Sequence, residues 1–259
     1  MVEVRDAATV MLVRDGDGGM EVLMLMRNVN SAFVGGAYVF PGGAVDPHDR
    51  HEDLDPYCIG RTDADASERL GIDSGGLAFW VAAVRECFEE AGILLACDSS
   101  GEMVRLDEPD VEARFVAHRT AIDHKERRLI EVCAEEDLKL AVDRIHYFSH
   151  WITPEGPPRR YDTRFFVARA PDKQVALHDD RETVANTWIR PLDALAAHER
   201  GEFEIIFPTI KNLSAIARFD DADELVAAAA NAAMVPTVVP RIVGEGEQMR
   251  ILLPGDPGY

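Results

Sequence analysis

The feature that most constrains this chain is the segment 82–92, Ala-Ala-Val-Arg-Glu-Cys-Phe-Glu-Glu-Ala-Gly. Its residues favour a helix, and a glycine directly after it is typical of a helix C-terminus. On a helix, Glu86, Glu89 and Glu90 project from the same side, about 5–6 Å apart. Like charges at that spacing destabilise an isolated helix, so the pattern indicates a cation bound by the carboxylates. Clustered oxygen ligands favour Mg²⁺ or Mn²⁺.

The flanking residues extend this helix into a longer motif. Gly43 follows Phe40-Pro41-Gly42, and the helix ends Arg85-Glu86-Cys87-Phe88-Glu89-Glu90-Ala91-Gly92-Ile93. Together these segments resemble the Nudix box, Gly-x5-Glu-x7-Arg-Glu-U-x-Glu-Glu-x-Gly-U, in which U is a bulky aliphatic residue. Every fixed charged and glycine position of the second half is matched, and Cys87 fills the first U position as a small hydrophobe.

The box is interrupted by an Asp-rich insertion. Forty-one residues stand between Gly43 and Arg85, far more than the usual box contains. Counting eight positions back from Arg85 gives Leu77, so we expect the first Glu of the box to be missing and the supporting loop to be altered. An interrupted box is similar to a Nudix branch that includes the peroxisomal-type coenzyme A diphosphatases, and three further segments look similar to that branch: 31–43, 160–166 and 253–256.

The resemblance implies a Nudix α/β/α sandwich with a central mixed β-sheet, and metal-dependent hydrolysis of a nucleoside diphosphate linked to another group. It implies Arg85, Glu86 and Glu89 as catalytic residues. The metal ligands it implies are Glu86, Glu89, Glu90 and the carbonyl of Gly43, holding Mg²⁺ or Mn²⁺. Glu182, six residues before Trp188, is a candidate general base, with an ordinary surface glutamate as the equal alternative.

Substrate recognition is only partly specified. The coenzyme A branch often carries Arg-x3-Gly-x3-Phe-Pro-Gly-Gly, and here Ala32 stands at the Arg position. Arg27, Arg160 and Arg164 are the substrate-binding candidates, against a solvated loop or ordinary strand alternation. Coenzyme A or acyl-coenzyme A is the favoured substrate. The alternatives are ADP-ribose, NADH or dinucleotide polyphosphates, or a non-catalytic Nudix-fold module that senses a nucleotide.

The net charge of the chain limits the classes of partner that it can bind. The chain has 27 Lys and Arg against 47 Asp and Glu, a net charge of −20. Such a surface repels a phosphate backbone and an anionic bilayer, so we expect a small-molecule partner, with no nucleic acid and no membrane. Four cysteines without Cys-x-x-Cys spacing favour the reducing cytoplasm. The sequence leaves a homodimer open.

Periodicity predicts the organisation of the chain. At 259 residues it is expected to be one Nudix domain, 1–259, with an insertion at about 46–76 and a helical lid or specificity segment at about 111–136. The lid is read as one helix over 112–135, with an exposed charged helix face as the alternative. The insertion is read as a solvated loop rather than a metal site. Its candidate metal ligands are His48, Asp49, His51, Glu52, Asp53 and Asp55.

Overall fold

The computed structural model describes residues 2–29, 35–50, 53–179, 181–244 and 249–259, and the expectations for Ala32, His51 and Glu52 fall outside them. The strands are β1 Val4–Gly16, β2 Gly19–Arg27, β3 Tyr38–Val39, β4 Gly42–Ala44, β5 Ala96–Cys97, β6 Lys139–Leu140, β7 Ile145–Ile152, β8 Arg160–Arg169, β9 Thr183–Ile189, β10 Thr237–Val238, β11 Arg241–Val243 and β12 Arg250–Leu252. The helices are α1 Asp63–Leu70, α2 Leu77–Ala91, α3 Pro109–Asp123, α4 Leu129–Glu135, α5 Pro191–Glu199, α6 Phe207–Ile216 and α7 Ala222–Asn231.

A mixed sheet forms the centre of the molecule. Its strand order is β10-β7-β8-β1-β2-β3, with β4 paired to β1 and β9 paired to β2. Strands β1 and β8 are parallel, whereas β1 with β2 and β7 with β8 are antiparallel. The β1–β2 hairpin closes at Gly19, whose φ of 114° is readily adopted only by glycine. Because β1 is long, it pairs with β2 at one end and with β4 at the other.

Helices cover both faces of this sheet, as predicted. Side chains alternate along β1, so Val10 and Leu12 pack with α1 to α4 while Met11 and Val13 pack with α5 to α7. The expected α/β sandwich with a central mixed sheet is therefore confirmed. None of the helices in the described part of the chain has the length and apolar character needed to cross a bilayer.

The prediction of one helix over 112–135 is wrong in one respect. The segment forms two helices, α3 and α4, and the chain between them turns at Lys125, whose φ is 60°. A left-handed backbone cannot continue an α-helix. The turn brings the Lys125 ammonium within 2.6 Å of the Asp46 carboxylate.

The insertion is also more ordered than a solvated loop. Thr62 caps α1 through a capping box with Asp65, and the α1 side chains of Ala66 and Leu70 join the core. A short 3₁₀ turn, Pro47–Asp49, begins with its own capping box from Asp46. The chain's four cysteines, Cys58, Cys87, Cys97 and Cys133, are all buried and form no disulfide.

Candidate functional site

Helix α2 presents the charged motif at one side of the sheet. Its sequence is apolar except for the motif residues, and most of the helix is buried against β1 and β4. Gly92 ends it in the left-handed conformation, with φ of 69°, as the sequence predicts. Cys87 and Phe88 face the core, which leaves Arg85, Glu86, Glu89 and Glu90 to line a cavity on the side of β4.

Arg85 lies at the centre of the ion pairs of this site. Its Nη1 atom lies 2.8 Å from Glu86 Oε1 and 2.7 Å from Glu89 Oε2. Its Nη2 atom donates to the Ala44 carbonyl at 2.9 Å, which joins α2 to β4. Although burial lowers the pKa of Arg85, the neighbouring carboxylates raise it well above its usual range. The guanidinium is therefore a permanent cation that orients the glutamates.

The structure corrects the expectation that the first acidic residue of the box is missing. Asp49 is 1% exposed, and its two carboxylate oxygens each accept a 2.8 Å hydrogen bond from Arg85. The sequence signal was available, since six positions forward from Gly43 lead to Asp49, the spacing of the box's first Glu. Counting backward from Arg85 crosses the insertion and reaches Leu77, which is buried at the start of α2.

Two glycines bring the β4 backbone against the carboxylates. A Cβ atom at Gly42 would lie 2.6 Å from the Cα of Thr9, and one at Gly43 would lie 2.5 Å from Glu86 Oε1. Only glycine allows these approaches without a shift. The Gly42 amide donates to Glu90 Oε2 at 2.9 Å. The predicted metal-binding residues Gly43, Glu86, Glu89 and Glu90 thus line one cavity.

The charge of these carboxylates is only partly balanced within the chain. Burial raises the pKa of Glu90 well above its ordinary value, and the charge of Glu86 adds to the rise. Burial likewise raises the pKa of Glu86 despite the opposing charge of Arg85. The pKa of Glu89 is raised to about 7, again by burial. Buried oxygen ligands with excess negative charge suit a hard divalent cation, so this donor set fits Mg²⁺ or Mn²⁺.

The cavity beside these residues has a volume of about 610 Å³, within the usual range for a small-molecule site. Glu86, Glu89, Glu90 and Glu182 line it. Besides Arg85, three cations line it: Arg27, Lys125 and Arg159. Its apolar lining comes from β7, β8, α6 and the segment that contains β11 and β12. This lining suits a ligand with anionic and apolar parts.

Glu182 lies at this cavity on the loop before β9. Asp179 fixes the loop by accepting hydrogen bonds from the backbone amides of Arg181, Glu182 and Thr183. The Glu182 carbonyl accepts from the Asn28 amide at 2.8 Å. The negative charge of the Glu182 side chain contributes to the raised pKa of Glu86 and of Glu90, although burial has the larger effect. Glu182 is therefore close to the carboxylate group and exposed to solvent.

The structure separates the three predicted substrate-binding arginines. Arg27 lines the cavity, but Arg160 and Arg164 do not. The Nε atom of Arg160 donates to the Thr153 carbonyl. Arg164 is 4% exposed, pairs with Asp162 and stacks over the Phe79 ring at 4.5 Å. Strand alternation on β8 explains this, because Tyr161, Thr163 and Phe165 face the cavity instead.

The helical segment over the site is attached to α2. Arg119, on α3, donates to the Glu89 carbonyl at the end of α2 and to the Leu177 carbonyl. Asp123 at the end of α3 pairs with Arg181 beside the Glu182 loop. Both Asp123 and Lys125 line the cavity. The segment thus covers part of the site.

A second group of metal-ligand type lies on this segment, formed by His118, Glu135 and Glu136. Arg114 binds Glu136 with hydrogen bonds of 2.7 and 2.9 Å, and Arg127 pairs with Glu135. Because cations of the chain already engage both carboxylates, we assign this group to holding α3 against α4. The predicted exposed charged face thus applies to only part of the segment, since His118 is buried.

Known proteins are similar to this chain in sequence and in fold. The acyl-coenzyme A diphosphatase NUDT19 of Homo sapiens is 28% identical over 275 residues, which cover 93% of this chain and 72% of that protein. The protein of the same name from Gallus gallus is 26% identical, covering 98% of this chain and 79% of its own. The crystal structure of a NUDIX hydrolase from Alicyclobacillus acidocaldarius has 27% identity and a TM-score of 0.70, with 91% of this chain and 100% of that chain covered.

The family profile of the NUDT19 Nudix domain matches residues 57–216. That stretch contains α2 with the second half of the box, and it ends with α6. The sequence predicted a Nudix hydrolase from the branch that includes coenzyme A diphosphatases. The family match and the relatives confirm this prediction at the level of the family. This chain belongs to the NUDT19 Nudix domain family, and it is a Nudix diphosphatase.

Proposed function

We propose that this protein hydrolyses the diphosphate bond of coenzyme A or acyl-coenzyme A. The observation that carries the proposal is a single cavity lined by the α2 carboxylates, by three cations besides Arg85, and by apolar side chains. Coenzyme A, which carries a diphosphate, a further phosphate and a long organic arm, matches this lining. The names of the relatives from Homo sapiens and Gallus gallus support the same substrate class.

The proposed cofactor is Mg²⁺ or Mn²⁺. Glu86, Glu89, Glu90 and the carbonyl of Gly43 would hold it, because they supply clustered oxygen ligands beside the cavity. A bound divalent ion neutralises diphosphate charge and lowers the pKa of bound water. Arg85 acts on the ligands rather than on the substrate, since Asp49, Glu86 and Glu89 use its guanidinium.

The proposed reaction transfers one phosphoryl group to water. Water attacks one phosphorus, the bond from that phosphorus to the bridging oxygen breaks, and the bridging oxygen leaves with the other phosphate. Glu182 is the proposed base that takes the proton from water, because it is exposed at the cavity near the carboxylates. Coenzyme A would yield phosphopantetheine and adenosine 3′,5′-bisphosphate.

The cations of the cavity are proposed to bind the substrate phosphates. Arg27 keeps the role predicted for it, and Arg159 and Lys125 join it. Lys125 pairs with Asp46, whereas Arg159 is exposed and has no hydrogen-bond or ion-pair partner among the described residues. Arg159 is therefore the best candidate to bind the 3′-phosphate that distinguishes coenzyme A from dephospho-coenzyme A.

We propose that residues 1–259 form one Nudix domain, with 46–76 as its insertion and 111–136 as a lid or specificity segment. The four free, buried cysteines support a reducing compartment such as the cytoplasm. The partner is a small-molecule diphosphate, and a homodimer stays a prediction that light scattering in solution tests.

A turnover screen tests the function. The purified protein is incubated with Mg²⁺ or Mn²⁺ and with coenzyme A, octanoyl-coenzyme A, ADP-ribose, NADH and diadenosine tetraphosphate, and products are identified by mass. We expect adenosine 3′,5′-bisphosphate to be the main adenine product. Release of AMP from ADP-ribose at higher kcat/KM would favour the alternative substrate, and binding without turnover would favour a sensing module.

A further inference from the structure

The loop that carries Glu182 into the cavity is built around one carboxylate. Asp179 Oδ1 accepts hydrogen bonds from the Arg181 amide at 3.2 Å and from the Thr183 amide at 2.8 Å. Asp179 Oδ2 accepts from the Glu182 amide at 3.1 Å. The Thr183 hydroxyl adds a fourth hydrogen bond, 2.9 Å long, to Asp179 Oδ1. Three successive backbone amides therefore converge on a single side chain.

Asp179 lines the cavity, but the loop already engages its carboxylate. An ionised carboxylate offers about four lone-pair sites, so the hydrogen bonds from the loop leave it little capacity to bind a metal. Although burial raises the pKa of Asp179, the hydrogen bonds from the Thr183 and Glu182 amides outweigh it and lower the pKa below the ordinary value. Asp179 is therefore a charged acceptor that serves the loop.

The same loop is attached to the rest of the site. The Asn28 backbone amide donates to the Glu182 carbonyl at 2.8 Å, and the Asn28 side-chain amide donates to the Arg181 carbonyl at 3.0 Å. Thr183 is fully buried, and its hydroxyl also lies 3.3 Å from the Glu90 carbonyl on α2. The backbone of Glu182 is thus held through both its N–H and its C=O group, whereas its side chain is exposed at the cavity.

We propose that Asp179 is the positioning residue for Glu182: by holding the amides of residues 181–183, it sets where the Glu182 carboxylate meets the attacking water. A general base must come within hydrogen-bond distance of the proton that it takes, about 3 Å. A misplacement of about 1 Å can cost about a hundredfold in rate. The inference rests on the base role given to Glu182 in the proposed function, but not on which diphosphate is the substrate.

A double-mutant cycle tests this role on the diphosphate that the wild type cleaves best, with Mg²⁺ present. Asp179→Asn keeps the size of the side chain, but its NH₂ group faces donors of the loop. We expect kcat to fall about tenfold or more while KM stays within about twofold. In the Glu182→Gln background the same change should cost less than about twofold, because the group through which Asp179 acts is already gone. Losses that multiply in the double variant would overturn the inference, and so would a wild-type kcat in Asp179→Asn.

Further measurements separate positioning from other roles. Asp172→Asn, at an exposed position of the same connection between β8 and β9, is the matched control and should keep the wild-type kcat. Mg²⁺ should raise the melting temperature of Asp179→Asn as much as that of the wild type, and loss of this rise would make Asp179 a metal ligand instead. If Asp179→Asn does not fold, Thr183→Val, which removes one of the four hydrogen bonds, should lower kcat about threefold in the wild-type background only.

The same experiment distinguishes failure of this inference from failure of the proposed function. A wild type that cleaves ADP-ribose but not coenzyme A removes the proposed substrate, yet the cycle measured on ADP-ribose still decides the role of Asp179. A Glu182→Gln variant with wild-type kcat removes Glu182 as the base, and the positioning role of Asp179 is overturned with it.

Discussion

Arg85 and Asp49 are joined by two hydrogen bonds of 2.8 Å across 36 residues of sequence. The pair links the 3₁₀ turn after β4 to the middle of α2, and both side chains are almost fully buried. Asp49 thereby fixes the plane of the guanidinium that also binds Glu86 and Glu89. The extra residues of the box therefore follow Asp49, within the predicted insertion of about 46–76.

Asp49→Asn should lower both stability and turnover. The amide keeps the size of the side chain but removes the charge that balances Arg85, so we expect a loss of about 2 kcal/mol in the free energy of unfolding. Looser orientation of Glu86 and Glu89 should lower kcat more than it changes KM. Urea unfolding and steady-state kinetics measure the two effects. Asp73→Asn, at an exposed position between α1 and α2, is the control and should change neither.

Glu90→Gln should lower turnover by orders of magnitude while the fold persists. The glutamine oxygen can still accept the hydrogen bond from the Gly42 amide, and loss of a buried charge relieves repulsion with Glu86. The melting temperature without metal should therefore equal or exceed that of the wild type. Glu68→Gln on the exposed side of α1 is the matched control. A Glu90→Gln variant with more than about a tenth of wild-type kcat would remove Glu90 from the essential set.

Divalent ions should stabilise the protein through the carboxylates of α2. An ion that binds only the folded state contributes about 2.7 kcal/mol at a hundred times its dissociation constant. We expect millimolar Mg²⁺ or Mn²⁺ to raise the melting temperature above that in EDTA, and Glu86→Gln to reduce this rise. Equal melting temperatures in all three solutions, with no turnover of any diphosphate, would instead favour a nucleotide-sensing module.

Arg159 and Arg160 provide a neighbouring pair for testing phosphate recognition. Only Arg159 lines the cavity, while the Arg160 side chain donates to the Thr153 carbonyl. Arg159→Ala should reduce the preference for coenzyme A over dephospho-coenzyme A about tenfold, equivalent to about 1.4 kcal/mol. Arg160→Ala should keep the preference. A wild type that cleaves both compounds equally well would show that no 3′-phosphate site exists.

Asp162 should make the stability of the protein depend on pH in the acidic range. Burial raises the pKa of this carboxyl, but the hydrogen bond from His150 and the charge of Arg164 outweigh it and lower the pKa below the ordinary value. Its contribution is therefore complete above the unfolded pKa of about 3.9 and is lost as pH falls through the folded value. Denaturant unfolding of the wild type and of Asp162→Asn should differ at pH 6, and the difference should shrink below about pH 4. A difference that stays constant down to pH 3 would contradict this.

The sequence predicted that the charged residues of α2 lie together, because helical periodicity alone brings them to one side of the helix. Arg85, Glu86, Glu89 and Glu90 lie within two turns, and Gly92 marks the end of the helix. Local spacing determines which side chains share a face, so no knowledge of tertiary structure was needed. The neighbouring Phe40-Pro41-Gly42-Gly43 segment gave the other half of the site.

Positions that depend on tertiary structure were predicted less well. Arg164 was assigned to the substrate, but both faces of β8 are covered, so alternation could not tell which face opens to the cavity. The break at Lys125 was missed because lysine rarely adopts positive φ. Only the folded chain shows that Arg159 lines the cavity while its neighbour Arg160 does not.

The burial of the four cysteines has a practical consequence. Burial raises the pKa of Cys58 and Cys133 to about 12, and it raises the pKa of Cys87 and Cys97 as well. Native thiols that are protonated and shielded react slowly with maleimides. One cysteine introduced at the exposed Met249, next to β12, would therefore be the preferred target for a fluorophore, and its fluorescence would report on the surroundings of β12 in an otherwise unaltered chain.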